Sequence, residues 1–504
     1  MKRLTTKTLA DLRKSVPKGK KIVLCHGVFD LVHIGHLNYF ESAKSYGDIL
    51  VVSVTSDEFV NKGPKRPFNK ANSRLKMLES LDIIDYVFLN DKKTSVNVIE
   101  ILKPDFYVKG PDYKNNQDDI TQAIKDEVKA VKKSGGKVVY TSDPVQSSSN
   151  LLNNYFVKFT DEQKDFLKTI KSKTSSSKIL KIIKEIKNFK VMVLGEAIID
   201  RYTFVDVMNI SSKSPTLSTK YLYHEDYTGG SLAIAKNLSA LGCRANVFYP
   251  SGMSESDKNF NFELKNKSDI KVTFTPLNLK QWNIPIKNRF LTEFRSQKIF
   301  EVSEIENKIW SENKVERFSQ RINKISKNFD LFIYADFGHG LFNNEFIKSL
   351  NHPSKNISLN TQTNSENIGF NLFHKHEKYN YLCIDEREFR LAMHDRHTDT
   401  DSLLKKFYRE YKKDLTVTLG SKGAKTIQGG KIFYCPSFFT SVVDTTGSGD
   451  AFLAISSVLH KMNIDPMINL FLSNIFAGLK SQIIGNKTPV DSVNLLKSVK
   501  YLLA

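Results

Sequence analysis

Cys25-His26-Gly27-Val28-Phe29-Asp30-Leu31-Val32-His33-Ile34-Gly35-His36 runs from an apolar, β-type segment through a glycine turn into a helical pattern that continues past Phe40. A β-branched run that gives way to a helix across a tight Gly27 turn is the opening unit of a parallel α/β sheet. It sets His33 and His36 beside a helix N-terminus, where backbone N–H groups and the positive end of the helix dipole attract phosphate. Gly35 leaves room for close approach, and two imidazoles can donate hydrogen bonds to charge developing on phosphorus. The chemistry predicted is in-line attack on a nucleotide α-phosphorus with pyrophosphate leaving.

The same alternation continues outward, with strands predicted over 21–25, 49–54, 86–89, 106–109 and 137–140 and helices between them. A second α/β pattern begins at 189–194 and proceeds through strands over 331–335, 381–384 and 415–419. The polar, basic stretch 171–178 separates the two. The expected organisation is therefore one domain over 1–158, a helical, basic linker over 159–188 and a second domain over 189–504, with no repeat relating them.

Composition narrows the function classes. A chain of 504 residues with 40% hydrophobic residues is long enough for two or more cores. Its apolar runs are too short to span a bilayer and its first residues lack a signal-type apolar segment, so a cytoplasmic protein without membrane insertion is expected. Cys25, Cys243, Cys383 and Cys435 stand singly in apolar segments and read as reduced core residues. The formal charge of +21 is dispersed, without a basic platform interleaved with aromatics, so no nucleic-acid partner is expected.

A second chemical motif, Val443-Asp444-Thr445-Thr446-Gly447-Ser448-Gly449-Asp450, precedes an apolar helical pattern. Gly447 and Gly449 free successive N–H groups to face one anion, with the helix dipole behind them. That is an anion hole for a transferring phosphoryl group, and Asp450 is placed to take the proton of an attacking hydroxyl.

The first motif resembles the G-x-F-D-x-x-H-x-G-H signature of the cytidylyltransferase-like nucleotidyltransferases, over most of 20–155. That resemblance implies a Rossmann-like parallel-sheet domain with His33, His36 and Lys44 as catalytic residues. It implies nucleotide contacts from Gly27, Phe29, Asp30, Gly35, Arg66 and Arg74. Val108-Lys109-Gly110-Pro111-Asp112-Tyr113 is similar to a segment of the heptose 1-phosphate adenylyltransferases and adds Lys109 and Gly110 to the nucleotide site. Ser147, Ser148 and Ser149 cap a helix in this reading and also receive phosphates.

The second motif resembles the D-T-x-G-A-G-D signature of the ribokinase-like (PfkB) carbohydrate kinases. It implies a ribokinase-like α/β domain with a small β lid, expected over 206–223, and Asp450 as catalytic base. The resemblance gives sugar contacts to Asp200, Gly229, Gly230 and Asn237. It gives nucleotide or phosphate contacts to Thr418, Gly420, Gly423, Thr446, Gly447, Ser448, Gly449 and Asn474. Magnesium falls to Asp385 and Glu388 through water or phosphate. Ala233, His339 and the segment around Asn360 depart from the family pattern and bear on the identity of the sugar.

Together the halves resemble the bifunctional heptose kinase and adenylyltransferase enzymes, in reversed order. The function implied is ATP- and Mg2+-dependent phosphorylation of a sugar or sugar phosphate, and nucleotidyl transfer to a sugar 1-phosphate in making a nucleotide-activated sugar for surface polysaccharide. CTP in place of ATP, with a polyol phosphate as acceptor, stays open for the first domain. So does a regulatory ligand-binding protein with a non-catalytic kinase-like domain. The partners expected are small-molecule nucleoside triphosphates and sugar phosphates, with a homodimer left open.

Overall fold

The computed structural model describes residues 2–60, 67–110, 123–141, 159–266, 272–279, 282–293, 297–305, 312–353, 356–439 and 442–503. The chain divides into two compact units, residues 1–160 with 496–504, and residues 161–495. Among the described residues no helix is long and apolar enough to cross a membrane.

In the first unit, the strands lie in the spatial order Arg3–Leu4, Tyr86–Asn90, Ile49–Thr55, Ile22–Gly27, Phe106–Lys109, Lys137–Tyr140, all parallel. Ile22, Val23, Leu24 and Cys25 are fully buried, as are Leu50, Val51 and Val52, which is why these runs read as continuously apolar rather than alternating. Each such aliphatic side chain contributes roughly 1.5–3 kcal/mol. Strand order reverses between Ile22–Gly27 and Phe106–Lys109, so a crevice opens beyond their carboxyl ends, between the Gly27 turn and Lys109-Gly110.

The second unit has a larger sheet in the order Val272–Asn278, Arg244–Ser251, Lys190–Gly195, Leu331–Asp336, Ile357–Thr361, Tyr381–Asp385, Asp414–Thr418, Ala424–Gln428, Lys431–Cys435. Its first seven strands are parallel and the last two turn antiparallel. A separate sheet of Lys298–Glu304, Ile286–Thr292, Ala197–Ile210 and Leu217–Gly230 forms the lid. The lid thus begins earlier than 206 and recruits two strands from beyond 285 that sequence reading left out.

The stretch expected as a helical linker holds helices Asp161–Lys173 and Ser176–Ile186, both within the second unit. Phe166 packs against Phe438 and Phe471, Gln163 donates to the Ser437 carbonyl at 2.6 Å, and Lys173 pairs with Asp465 at 2.9 Å. Its lysines face solvent while Phe166, Leu167, Ile170, Ile179 and Ile183 are buried, which makes the segment an amphipathic part of that unit's surface.

Candidate functional sites

His33 caps helix Ile34–Lys44: its Nδ1 accepts the Gly35 N–H at 3.1 Å, so Nε2 is the nitrogen that carries hydrogen in the neutral ring. The His33 and His36 ring centroids lie 4.1 Å apart, and Phe29 meets His36 edge-on at 5.4 Å. Phe29 adopts the left-handed conformation, φ 50°, and its ring folds back over Gly27, where a Cβ would stand 2.9 Å from it. The Gly27 turn is therefore a steric requirement of the aromatic wedge behind the histidines.

The buried Asp30 carboxylate accepts the N–H groups of Phe68 and Asn69, both at 2.8 Å. It orients the loop and is spent on backbone. Arg74, expected at the nucleotide, is fully buried: it donates to the carbonyls of Val28 at 2.6 Å and Asn69 at 3.0 Å and pairs with Asp57 at 2.7 Å. Its role is to staple the histidine loop from behind. Lys44, expected as a catalytic residue, lies on the same helix as His36. Eight residues carry it roughly 12 Å along the helix from His36, and its ammonium binds Asp85 and the Asp48 carbonyl next to Leu50, at the amino edge of the sheet. Arg66, Ser147, Ser148 and Ser149 lie outside the described residues.

Lys109 is buried in a polar cluster on the side of the sheet away from Phe40. It pairs with Glu127 at 3.1 Å, and Glu127 also accepts the Tyr107 hydroxyl at 2.9 Å and the Ser95 N–H at 3.2 Å. Burial acts to raise the Glu127 carboxyl, but the Lys109 charge and the hydrogen bonds from Ser95 and Lys109 outweigh it and hold it at about 2. His26, half-buried beside Lys109, is pushed down to about 4 by loss of solvation and by the Lys109 charge. Removing one member of a buried pair strands the other. Lys109→Met is expected to lower the stability of the first unit by about 3–5 kcal/mol, read by urea denaturation. Unfolded Glu127 takes its proton near 4.5 and the folded group near 2, so its contribution is full above pH 4.5 and is lost as pH falls towards 2. Gly110 beside it has open space where a Cβ would go.

In the second unit, a cleft of about 770 Å³ lies beyond the carboxyl ends of the strands and is lined by Asp200, Asp385, Glu388, Thr418, Gly420, Gly423, Asn474 and the whole of Thr446–Asp450. The cleft thus brings together residues expected as sugar, phosphate, nucleotide and magnesium contacts, from positions up to 274 residues apart. Gly447 enters helix Ser448–Lys461 with φ 79°, and a Cβ there would meet Asn486 Oδ1 at 2.3 Å. Around Gly449 a Cβ would meet nothing within 4 Å, so the hole above it is open to a ligand. Asp450 stands in the first helical turn; burial and the Asp200 charge raise it to about 7, against the lowering effect of Lys287 and Lys480.

Asp200 accepts Arg289 at 2.6 Å and the Asn486 amide at 3.2 Å. Gly229 lets that carboxylate pass, since a Cβ would lie 2.3 Å from Asp200 Oδ2, and Gly230, φ 60°, clears the Glu196 carbonyl. Asn237, expected at the sugar, is buried, its amide oxygen accepts the Val490 N–H at 3.3 Å, and it is not among the cleft's lining residues. Asp385 and Glu388 form a reciprocal helix cap. Glu388 takes the N–H groups of Asp385 and Thr363, both at 3.0 Å, and is raised to about 8 by burial and by the charges of Asp385 and Asp450. Among the described residues no three His, Cys, Asp or Glu side chains could hold a metal together. The hard oxygens of this cap suit a magnesium ion that keeps its water and phosphate ligands.

Lys287 and Arg289 line the cleft from the lid strand Ile286–Thr292 without a sequence signal. Lys480, outside the lining, is buried beneath the Gly447 turn and pushed down to about 8 by burial. His339, at a departure from the family pattern, is buried with both ring nitrogens unpaired, and burial with the Lys287 charge lowers it to about 4. The loop carrying it hangs on Glu196, which accepts the N–H groups of Phe337, His339 and Leu341.

Comparison with known proteins matches residues 24–182 to the cytidylyltransferase-like family and residues 372–463 to the pfkB family of carbohydrate kinases. The transferase-type domain precedes the kinase-type domain, the order read from the sequence. The bifunctional protein HldE of Aliarcobacter butzleri is 41% identical over 137 residues, 26% of this chain and 29% of that protein. Its counterpart from Geobacter metallireducens is 50% identical over 98 residues, 19% of this chain and 20% of that one. The chain thus spans less than a third of the length of these relatives. Phosphofructokinase-2 of Escherichia coli, in complex with substrates and products, superposes on 62% of this chain and 99% of its own with a TM-score of 0.50 at 12% identity. A mutant of it gives 0.50 at 11%, over 62% of this chain and 99% of its own. The second unit accordingly has the ribokinase-like α/β fold with a lid.

Proposed function

We propose that this chain is a bifunctional transferase in the making of a nucleotide-activated sugar. Its first unit transfers adenylyl from ATP to a sugar 1-phosphate with release of pyrophosphate, and its second phosphorylates a sugar phosphate of the heptose 7-phosphate kind at the expense of ATP. The observation that carries this reading is the pair of open helix starts, each beyond parallel strand ends and each carrying a reactive side chain: His33 with His36 in one, Asp450 in the other.

In the first unit, His33 Nε2 and His36 donate to the oxygens of the attacked α-phosphorus as negative charge builds there. In the second, the N–H groups of Gly447 and Gly449 receive the transferring phosphoryl group, and Asp450 takes the acceptor hydroxyl's proton. Asp200, held by Arg289 and Asn486, faces the acceptor. Magnesium would be held near Asp385 and Glu388 through its waters, and it neutralises phosphate charge when bound.

The test measures pyrophosphate release with ATP or CTP against sugar 1-phosphates and polyol phosphates, alongside ADP formation with sugar phosphates. Pyrophosphate from ATP plus a heptose 1-phosphate, and ADP from ATP plus a heptose 7-phosphate, are expected, both abolished by EDTA. Pyrophosphate with CTP alone would reject the adenylyl assignment, and ADP formation that no acceptor stimulates would reject the kinase assignment.

A further inference from the structure

We infer that Lys298 is a positioning residue of the second unit: its ammonium ties the lid sheet to Asp444 and Thr446, and so sets the turn that forms the phosphoryl hole. Lys298 opens the lid strand Lys298–Glu304 and donates to Asp444 Oδ1 at 2.7 Å and to Thr446 Oγ1 at 2.9 Å. Asp444 is a buried hub. Oδ1 also takes the Thr446 N–H at 3.0 Å and its hydroxyl at 2.9 Å, while Oδ2 takes the hydroxyl of the lid residue Tyr202 at 2.5 Å and the Gly485 N–H at 2.8 Å.

The neighbouring backbone is shaped to the same contact. Gly485 has φ 50°, and a Cβ there would stand 2.7 Å from the ring of lid Tyr227 and 3.2 Å from that of Tyr202. Asn486, next along the chain, reaches Asp200 on the lid side, and its oxygen lies where a Cβ on Gly447 would clash. Lid, Gly485 turn and phosphoryl hole therefore meet around one carboxylate. Burial acts to raise Asp444, but Lys298, the Tyr202 hydroxyl and the N–H groups of Thr446 and Gly485 outweigh it and hold the group well below the ordinary carboxylate range. The lysine is the hub's cation. Without it, Asp444 keeps neutral donors alone and the hole loses the tie that fixes it beneath the lid.

This role rests on the kinase reading for its catalytic consequence, but not for its structural one. Hydrogen–deuterium exchange of 444–450 is expected to speed up in Lys298→Ala, with exchange in the body strands Lys190–Gly195 and Leu331–Asp336 unchanged. Acceptor phosphorylation should fall roughly 10- to 100-fold, the worth of one hydrogen bond to a charged group. The fall should lie in kcat with the acceptor KM little changed, and ATP hydrolysed per acceptor phosphorylated should rise. Lys298→Arg, or ethylammonium added to Lys298→Ala, should restore the coupling. Unchanged exchange through 444–450 overturns the inference whatever the turnover. So does faster exchange throughout the body, which would make the lysine a general stabiliser. Wild-type protein that phosphorylates no acceptor would count against the kinase reading alone, because the exchange measurement needs no turnover.

Discussion

Asp450→Asn is expected to lower acceptor phosphorylation by roughly 10²- to 10⁴-fold, the range that a positioned general base contributes, while pyrophosphate release proceeds at the wild-type rate. The amide keeps the shape of the first helical turn and removes only the proton acceptor. The pH profile gives a second handle. Burial and the nearby Asp200 charge lift the Asp450 carboxyl to about 7. A base works only when ionised, so log kcat/KM for the acceptor should climb with pH and level off above about 7. Asp200→Asn removes the charge that helps raise it, and the break should then move to lower pH. A flat profile from pH 5 to 8, or an Asn variant of full activity, would remove Asp450 from the chemistry.

His36→Ala is expected to lower pyrophosphate release by roughly 10²- to 10³-fold, the cost of one preorganised donor to developing charge, with ADP formation untouched. The effect should lie in kcat, because the donor matters most when charge has accumulated on phosphorus. His36→Gln, which keeps a donor, should lose less. Loss of both reactions in His36→Ala would point to unfolding. Far-UV circular dichroism and the surviving kinase reaction distinguish the two, since Phe29 and Phe40 pack on the His36 ring.

What could be read in advance was what lies close along the chain. The His33 and Gly447 motifs are strand-turn-helix units, and their geometry follows from local spacing. Lys44 shares a helix with His36, and its ammonium is held by Asp85 and the Asp48 carbonyl, partners that its position about two turns beyond His36 does not signal. For Arg74, nothing local signals that its guanidinium is buried between Val28, Asp57 and Asn69, the first of them 46 residues earlier. The lid was seen only in part. Its exposed ribbon alternates in the manner of a two-faced strand, whereas its buried beginning at 197–205 reads as ordinary core, and its other strands arrive after a long excursion through the body. Lys287, Arg289 and Lys298 reach the cleft by that route.

The contacts of the Asp444 hub can be left intact by a sugar pocket that changes. The lid touches the phosphoryl hole through Lys298, Tyr202 and the Gly485 turn, while other lid positions, such as Lys287 on the strand Ile286–Thr292, line the cleft itself. Selection for a new acceptor can act on those positions and leave the anchors alone. A single cap can thus be retailored for successive sugars while the reaction beneath it keeps its timing.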